Sequence, residues 1–88
     1  MFFFFFFSPE LFATRLNKLR TDNGLTMEQL GKIIGTTRAT ISNLENEQKK
    51  PSLDMVIKLA EYFNVSIDYL VGRTDDPIFY NSNKKDDN

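Results

Sequence analysis

The chain has 88 residues, which is enough for one small domain with one core. It contains no cysteine and no histidine, which excludes disulfides, thiolate metal sites and the commonest general base. No group of residues indicates catalysis or a cofactor, and no apolar run approaches the roughly 20 residues that span a bilayer. We therefore expect a soluble, cytoplasmic protein that is not an enzyme and binds no metal or cofactor.

The first seven residues read MFFFFFF and fit neither a helical nor a strand face. They lack the basic residues that begin a signal peptide. A Met, six identical residues and then a Ser form the layout of an expression tag, so we assign residues 1–7 to a tag. The alternative is a membrane anchor, although six aromatic residues are too few to span a bilayer.

Five helices are indicated by apolar residues at helical spacing. The first runs from Pro9 to Asp22, and a capping box from Thr26 to Gln29 opens the second, which ends at Gly35. The expected caps of the five helices are Ser8, Thr26, Thr37, Ser52 and Ser66. Short helices joined by short turns predict an all-α orthogonal bundle in residues 8–72.

The same pattern predicts how two of these helices pack. Gly31 costs the second helix about 1 kcal/mol relative to Ala. Because a glycine at this cost indicates that a small residue is required, we expect another helix to cross closely at Gly31. The residues expected to face the core from the second and fourth helices are Leu30, Ile33, Ile34, Leu53, Val56, Ile57, Ala60 and Phe63.

The third predicted helix has an outer face without any acid. Thr37, Ile41 and Leu44 cluster on one side of this helix. The opposite side has short side chains, two amides and one Arg, and consists of Arg38, Ala39, Ser42, Asn43 and Asn46. A face that is only solvated usually carries Glu and Lys, so this face is suited to close approach by another surface. A solvent face that merely lacks acids is the alternative.

Residues 73–88 are polar and charged except for Ile78, Phe79 and Tyr80. We expect a linker or flexible tail there. The three apolar residues either dock on the bundle or on a partner subunit, or make only transient contacts. A chain that ends in a linker is also consistent with a further C-terminal domain or a protein regulator.

Several motifs together carry a resemblance to a known family. They are TMEQLG at 26–31, GTT at 35–37, ISNLEN at 41–46, PSL at 51–53 and NVSIDYLVG at 64–72. With these motifs, residues 11–72 resemble the DNA-binding domain of the Cro/C1-type (Xre) transcriptional regulators, which include the lambdoid phage repressors. The resemblance implies a five-helix, lambda-repressor-like domain whose second and third helices form a helix-turn-helix. It also implies a homodimer that binds operator DNA.

The resemblance implies two sets of DNA contacts. By position, the residues that reach base edges are Thr37, Arg38, Ala39, Ser42 and Asn43. The residues that contact phosphates are Thr26, Met27, Asn46, Gln48, Lys49 and Lys50, for which plain solvation of a basic loop is the alternative. The sequence departs from the family at Met27, where many members have a phosphate-binding Gln, and at Glu47, where many have Gly.

The family pattern also implies structural and dimer contacts. Arg20 and Glu45 occupy the positions of a partly buried ion pair in related repressors, and two independent surface charges are the alternative. The dimer contact is expected at the fifth helix and its flanks, with Ile67, Tyr69, Val71, Phe79 and Tyr80 as candidates.

The net charge of −1 and the pI near 5.3 argue against a strongly basic DNA-binding surface. Residues 8–72 are neutral, with eight acids and eight bases, because the excess acid lies in the tail. We expect a repressor that binds double-stranded DNA through few phosphate contacts, and hence with a shallow salt dependence. The alternative is an antitoxin-like helical interaction module with weak or lost DNA binding.

Overall fold

The computed structural model describes residues 7–78. These residues form five α-helices and contain no strand. The all-α, five-helix fold class is therefore confirmed. The helices are α1 (Pro9–Asp22), α2 (Met27–Ile34), α3 (Arg38–Glu45), α4 (Leu53–Phe63) and α5 (Ile67–Val71).

Each helix begins at a hydroxyl cap. The side-chain oxygens of the five caps each accept a hydrogen bond from the backbone amide three residues further on; the caps are Ser8, Thr26, Thr37, Ser52 and Ser66. The capping box is complete, because the Gln29 side chain also accepts from the Thr26 amide at 2.8 Å. One such cap stabilises a helix by about 1 kcal/mol. For helices this short, that is enough to determine the residue at which the helix begins.

A single apolar core lies where the five helices meet. Its fully buried members are Phe12, Leu16, Leu30, Ile41, Leu44, Leu59 and Leu70. The expectation that Ile33 and Leu53 face this core is wrong, since they are 44% and 72% exposed. Leu30, Gly31 and Ile34 form the buried stripe of α2, and Ile33 projects about 100° from its centre. Leu53 is the first residue of α4, and the buried residues of this helix, Val56, Leu59 and Ala60, come later in it.

Gly31 packs against the turn between α2 and α3. A Cβ at this position would lie 3.0 Å from the carbonyl carbon of Thr37 and 3.1 Å from the carbonyl oxygen of Thr36. These neighbours are backbone atoms, which cannot rotate away as a side chain can. A small residue is therefore required by the turn, and the expectation of a helix crossing at Gly31 is wrong.

The two ends of the described chain lie close together. The Ser8 amide donates to the Val71 carbonyl at 2.8 Å. The ring of Phe7 lies 5.7 Å from that of Phe12, measured between centroids. Residues 73–78 return along α5, where the Ser66 amide donates to the Pro77 carbonyl at 2.9 Å. The assignments of residues 1–7 to a tag and of 73–88 to a linker stay predictions, although both segments contact the bundle within the described residues.

Candidate nucleic-acid interface

A tight turn fixes α3 relative to α2. Gly35 has a φ of 78°, a left-handed conformation that glycine adopts without steric cost, and the Thr36 amide donates to the Gly31 carbonyl at 2.7 Å. Ile34 of α2 and Ile41 of α3 are both buried in the common core. The turn and the core therefore set the angle between the helices and leave the outer face of α3 at the surface.

The five residues predicted to contact bases lie on α3 or at its cap. Thr37, Arg38 and Ala39 are exposed, and Ser42 and Asn43 are half-buried. The Thr37 hydroxyl accepts from the Thr40 amide at 3.1 Å, so its methyl group is the part suited to a thymine methyl. Neither the Arg38 nor the Asn43 side chain forms a hydrogen bond or ion pair with another residue of 7–78. Both polar groups are therefore available to a ligand.

The chain leaves α3 through a left-handed residue that is not glycine. Glu47 has a φ of 62°, and the Gln48 amide donates to the Asn43 carbonyl at 2.8 Å. The Asn46 side-chain nitrogen donates to the carbonyl and to the hydroxyl of Ser42, at 2.9 and 3.3 Å. Because a phosphate needs a donor, the use of this nitrogen inside the helix argues against a phosphate contact from Asn46.

The remaining phosphate candidates lie in two places. Gln48, Lys49 and Lys50 are exposed in the loop that follows α3, whereas Thr26 and Met27 form the start of α2. The Met27 side chain packs against the core, so its backbone amide is the group suited to an anion. The capping box already uses the Thr26 and Gln29 amides, which leaves the amides between them unpaired within the helix.

Arg20 and Glu45 are brought together by α1 and α3. The Nε and Nη2 atoms of Arg20 donate to the two Glu45 oxygens at 2.6 and 3.0 Å, and Nη1 donates to the Leu25 carbonyl at 2.8 Å. Asn17 adds a hydrogen bond to Glu45 at 2.9 Å. The hydrogen bond from Arg20 to Glu45 raises the pKa of the guanidinium above its ordinary value. This pairing neutralises the one acid of α3.

The charge of the surface around α3 differs from the charge of the whole chain. Arg38, Lys49 and Lys50 are exposed and form no ion pair with the residues in 7–78. Glu47 is the acid beside them in the same loop. Local cations therefore outnumber acids on a chain whose formal net charge is −1.

The role of Arg15 was not predicted from its position in the sequence. Its guanidinium donates to the Tyr69 carbonyl at 2.6 Å and to the Thr74 carbonyl at 2.7 Å, and pairs with Asp75 at 2.8 Å. It also lies over the Tyr69 ring, 4.1 Å from the centroid. These partners are 54 to 60 residues away in the chain. The helical spacing of apolar residues therefore could not predict these contacts.

The dimer candidates are placed differently from one another. Tyr69 is half-buried under Arg15, and Val71 is half-buried with its carbonyl bound to Ser8. Ile67 is 39% exposed. Phe79 and Tyr80 lie outside the described residues.

Two other kinds of site have no support within residues 7–78. No helix there is long and apolar enough to cross a membrane. No three acidic side chains in that range are grouped to hold a metal ion.

A helix-turn-helix on a five-helix bundle, with an unengaged Arg and Asn on the exposed face of its second helix, defines a DNA-binding domain. Comparison with known proteins supports the assignment of a DNA-binding domain. The model of the helix-turn-helix family matches residues 16–70. The chain belongs to the Cro/C1-type (Xre) helix-turn-helix family of DNA-binding transcriptional regulators, which confirms the resemblance seen in the sequence.

Three similar proteins illustrate the family. The chain is 45% identical over 67 residues to the uncharacterized HTH-type transcriptional regulator YobD of Bacillus subtilis, covering 76% of this chain and 60% of that protein. It is 36% identical over 61 residues to the antitoxin HipB of Escherichia coli, covering 69% and 65%. The P22 c2 repressor, solved in complex with a synthetic operator, superposes with a TM-score of 0.69 at 25% identity, covering 73% of this chain and 97% of the repressor chain. The chain thus spans less than two thirds of YobD and HipB.

Proposed function

We propose that the protein is a repressor that binds a pseudo-palindromic operator as a homodimer, with α3 in the major groove. The exposed face of α3 carries this proposal. Arg38 and Asn43 make no polar contact inside the described domain, whereas Glu45 is held by Arg20. Arg38 matches the O6 and N7 acceptors of guanine, and Asn43 matches N6 and N7 of adenine.

The flanking residues supply contacts to the DNA backbone in this proposal. Lys49, Lys50 and Gln48 neutralise or bind phosphates after α3, and the first free amides of α2 bind a phosphate at the helix N-terminus. With two phosphate-neutralising side chains per subunit, Lys49 and Lys50, the salt dependence of binding is shallow. In this proposal the protein binds its DNA target in the cytoplasm.

Symmetry is the second part of the proposal. The P22 c2 repressor was solved with operator DNA, and it shares this fold. A dimer formed through the exposed side of α5 around Ile67 presents two copies of α3. Such a dimer reads half-sites about 34–36 Å apart, which is one turn of DNA.

Selection from random duplex DNA tests the proposal. The full chain is used to enrich sequences at two salt concentrations, and the enriched pool is sequenced. We expect a palindromic motif with half-sites one helical turn apart at both concentrations. Enrichment of no motif at low salt would rule out sequence-specific binding, and a motif without symmetry would rule out the dimer.

An antitoxin-like interaction module is the second candidate, and the similarity to HipB favours it. In that case the principal ligand is a protein and selection from DNA yields weak or no enrichment. The same experiment therefore separates the two candidates.

A further inference from the structure

The last helix of the bundle is short and supplies little of the core. α5 has five residues, and Leu70 is the buried side chain among them. Within residues 7–78, the other six fully buried side chains of the core belong to α1, α2, α3 and α4. Because a helix of fewer than about 12 residues is marginal in water on its own, α5 depends on contacts with the rest of the chain.

Residues 73–77, which we call the C-terminal strap, connect the two ends of α5. At the end of the helix, the Arg73 amide donates to the Asp68 carbonyl at 2.8 Å. At its start, the Ser66 amide donates to the Pro77 carbonyl at 2.9 Å. Ser66 is the N-cap, whose amide has no acceptor inside the helix. The strap therefore supplies the acceptor that this amide uses.

Arg15 of α1 joins the strap to the last turn of α5. Its guanidinium donates to the Tyr69 carbonyl at 2.6 Å and to the Thr74 carbonyl at 2.7 Å. It also pairs with Asp75, whose side chain is fully exposed, whereas the Arg15 side chain is 11% exposed. An ion pair to an exposed partner contributes little, and hydrogen bonds away from water are stronger. The two carbonyl contacts are therefore the main bonds that hold the strap.

We propose that α5 and the C-terminal strap open together before the other four helices unfold, and that Arg15 is the positioning residue that keeps them closed. Segments that open locally have few buried apolar contacts, and Leu70 is one of seven fully buried side chains in the core. α5 is the last helix in the chain, so its release leaves the other four helices connected. The inference depends neither on DNA binding nor on a dimer.

Hydrogen exchange of single amides in the full chain, followed by NMR, tests this inference. The Ser66 amide reports the strap, because its acceptor is the Pro77 carbonyl. The Leu70 amide donates to the Ser66 carbonyl and reports α5. The Ile41 amide donates to the Thr37 carbonyl and reports the rest of the bundle. In the parent we expect equal opening free energies at Ser66 and Leu70, and a higher opening free energy at Ile41.

Substitution of Arg15 tests its role in closing the strap. Arg15→Met should raise the exchange rates of Ser66 and Leu70 by about tenfold or more, because hydrogen bonds to a charged group are lost. Ile41 should exchange faster by the same factor, since the contacts of Arg15 are absent from the partly open chain and from the unfolded chain. Arg15→Lys retains the charge without the planar guanidinium, so its effect should be smaller and in the same direction.

Ile34→Val is the matched control, because it weakens the bundle outside α5. Ile34 is buried on α2, which packs against α3 and α4. Its contacts persist when only α5 and the strap open. The variant should therefore raise the exchange rate of Ile41 and leave the rates of Ser66 and Leu70 unchanged.

Thr74→Ala loosens the strap and leaves the guanidinium of Arg15 in place. It removes the hydroxyl that accepts from the Asp76 amide at 3.2 Å, and it retains the carbonyl that Arg15 binds. We expect faster exchange at Ser66 and Leu70 than in the parent, by a smaller factor than in Arg15→Met. This variant keeps the test decisive if Arg15→Met does not fold.

Three results would overturn the inference. The first is equal opening free energies at Leu70 and Ile41 in the parent, which would mean that α5 opens only with the whole bundle. The second is faster exchange at Ile41 alone in Arg15→Met, which would mean that the contacts of Arg15 survive the opening of α5. The third is a Ser66 amide that exchanges as fast as in an unfolded chain, or at the parent rate in both Arg15→Met and Thr74→Ala, which would mean that the strap does not close on α5.

Discussion

Arg20 and Glu45 form a bidentate ion pair that joins α1 to the last turn of α3. Their side chains are 11% and 3% exposed, and the Leu25 carbonyl and Asn17 complete the hydrogen bonds of the pair. The pair thus holds the end of the proposed recognition helix against the bundle. It also keeps a carboxylate away from the surface that we assign to DNA.

Removal of one partner should cost more than removal of both. Breaking a buried pair costs about 3–5 kcal/mol because one charge is left buried without a counter-charge. We expect a loss of this size in the free energy of unfolding for Glu45→Leu alone, and a much smaller loss for the double variant Arg20→Met with Glu45→Leu. Urea unfolding of the two single variants and of the double variant measures these free energies. Additive losses would mean that the two charges act independently.

The pH dependence of this pair follows from the direction of the pKa shift. The pKa of Arg20 is raised by its hydrogen bond to Glu45, so the folded state binds the Arg20 proton more tightly than the unfolded chain does. The stabilisation is complete below the ordinary arginine pKa and is lost as the pH rises through the raised value. The Arg20 proton should therefore add no pH dependence to stability near neutral pH.

Local signals were sufficient to predict the helices. The long-range pair of Arg20 and Glu45 was implied only by the family resemblance, and the long-range contacts of Arg15 were not predicted. Each helix start has its own hydroxyl cap, so Ser8 and Ser52 could be assigned without knowledge of the fold. The exposure of Ile33 depends on which side of α2 meets the other helices, and a sequence of eight helical residues does not determine this. Arg15 was missed because its partners, Tyr69 among them, lie at the other end of the domain.

Glu47 occupies a left-handed backbone conformation in which glycine has no steric cost. A residue with a Cβ loses about 1–2 kcal/mol in this conformation, so Glu47→Gly should raise the free energy of unfolding by about 1 kcal/mol. The change also removes a negative charge beside Lys49, so affinity for DNA should rise. Thermal unfolding and DNA titration measure the two effects.

Glu47→Gln separates the two effects of this change. It removes the charge and retains the side chain at a φ of 62°. We expect Glu47→Gln to gain DNA affinity without the gain in stability. If Glu47→Gln stabilised the domain as much as Glu47→Gly, the backbone conformation would not be the cause.

Gly31 should tolerate one added methyl group but not a branched side chain. Gly31→Ala gains about 1 kcal/mol of helix propensity, offset by the 3.0 Å contact with the Thr37 backbone, so its net effect should be small. Gly31→Val adds two further methyl groups beside the same turn, and overpacking of this kind costs about 1–3 kcal/mol. Thermal unfolding of the two variants measures the difference. Equal stabilities would mean that the turn moves freely.

The α3 face should determine which DNA sequence is preferred. Arg38→Ala combined with Asn43→Ala removes both groups suited to bidentate base contacts, each worth about 1–3 kcal/mol of discrimination. We expect the selected motif to lose its preference at the corresponding base pairs, while the unfolding transition is unchanged. Binding titrations on the best site and on scrambled DNA measure the ratio. A ratio equal to that of the parent would show that another surface reads the sequence.

Lys49 should contribute to affinity without contributing to sequence preference. Each phosphate neutralised adds about 0.9 to the slope of log K against log salt concentration, so Lys49→Ala should lower that slope by about 0.9 per subunit. Its effect on specific and scrambled DNA should be equal, because a phosphate carries no sequence information. Lys58→Ala is the matched control, since Lys58 lies on α4 and pairs with Asp54. The slopes are measured by binding titrations over a range of salt concentrations. An unchanged slope for Lys49→Ala, or an equal decrease for Lys58→Ala, would show that the loop after α3 is not part of the DNA-binding surface.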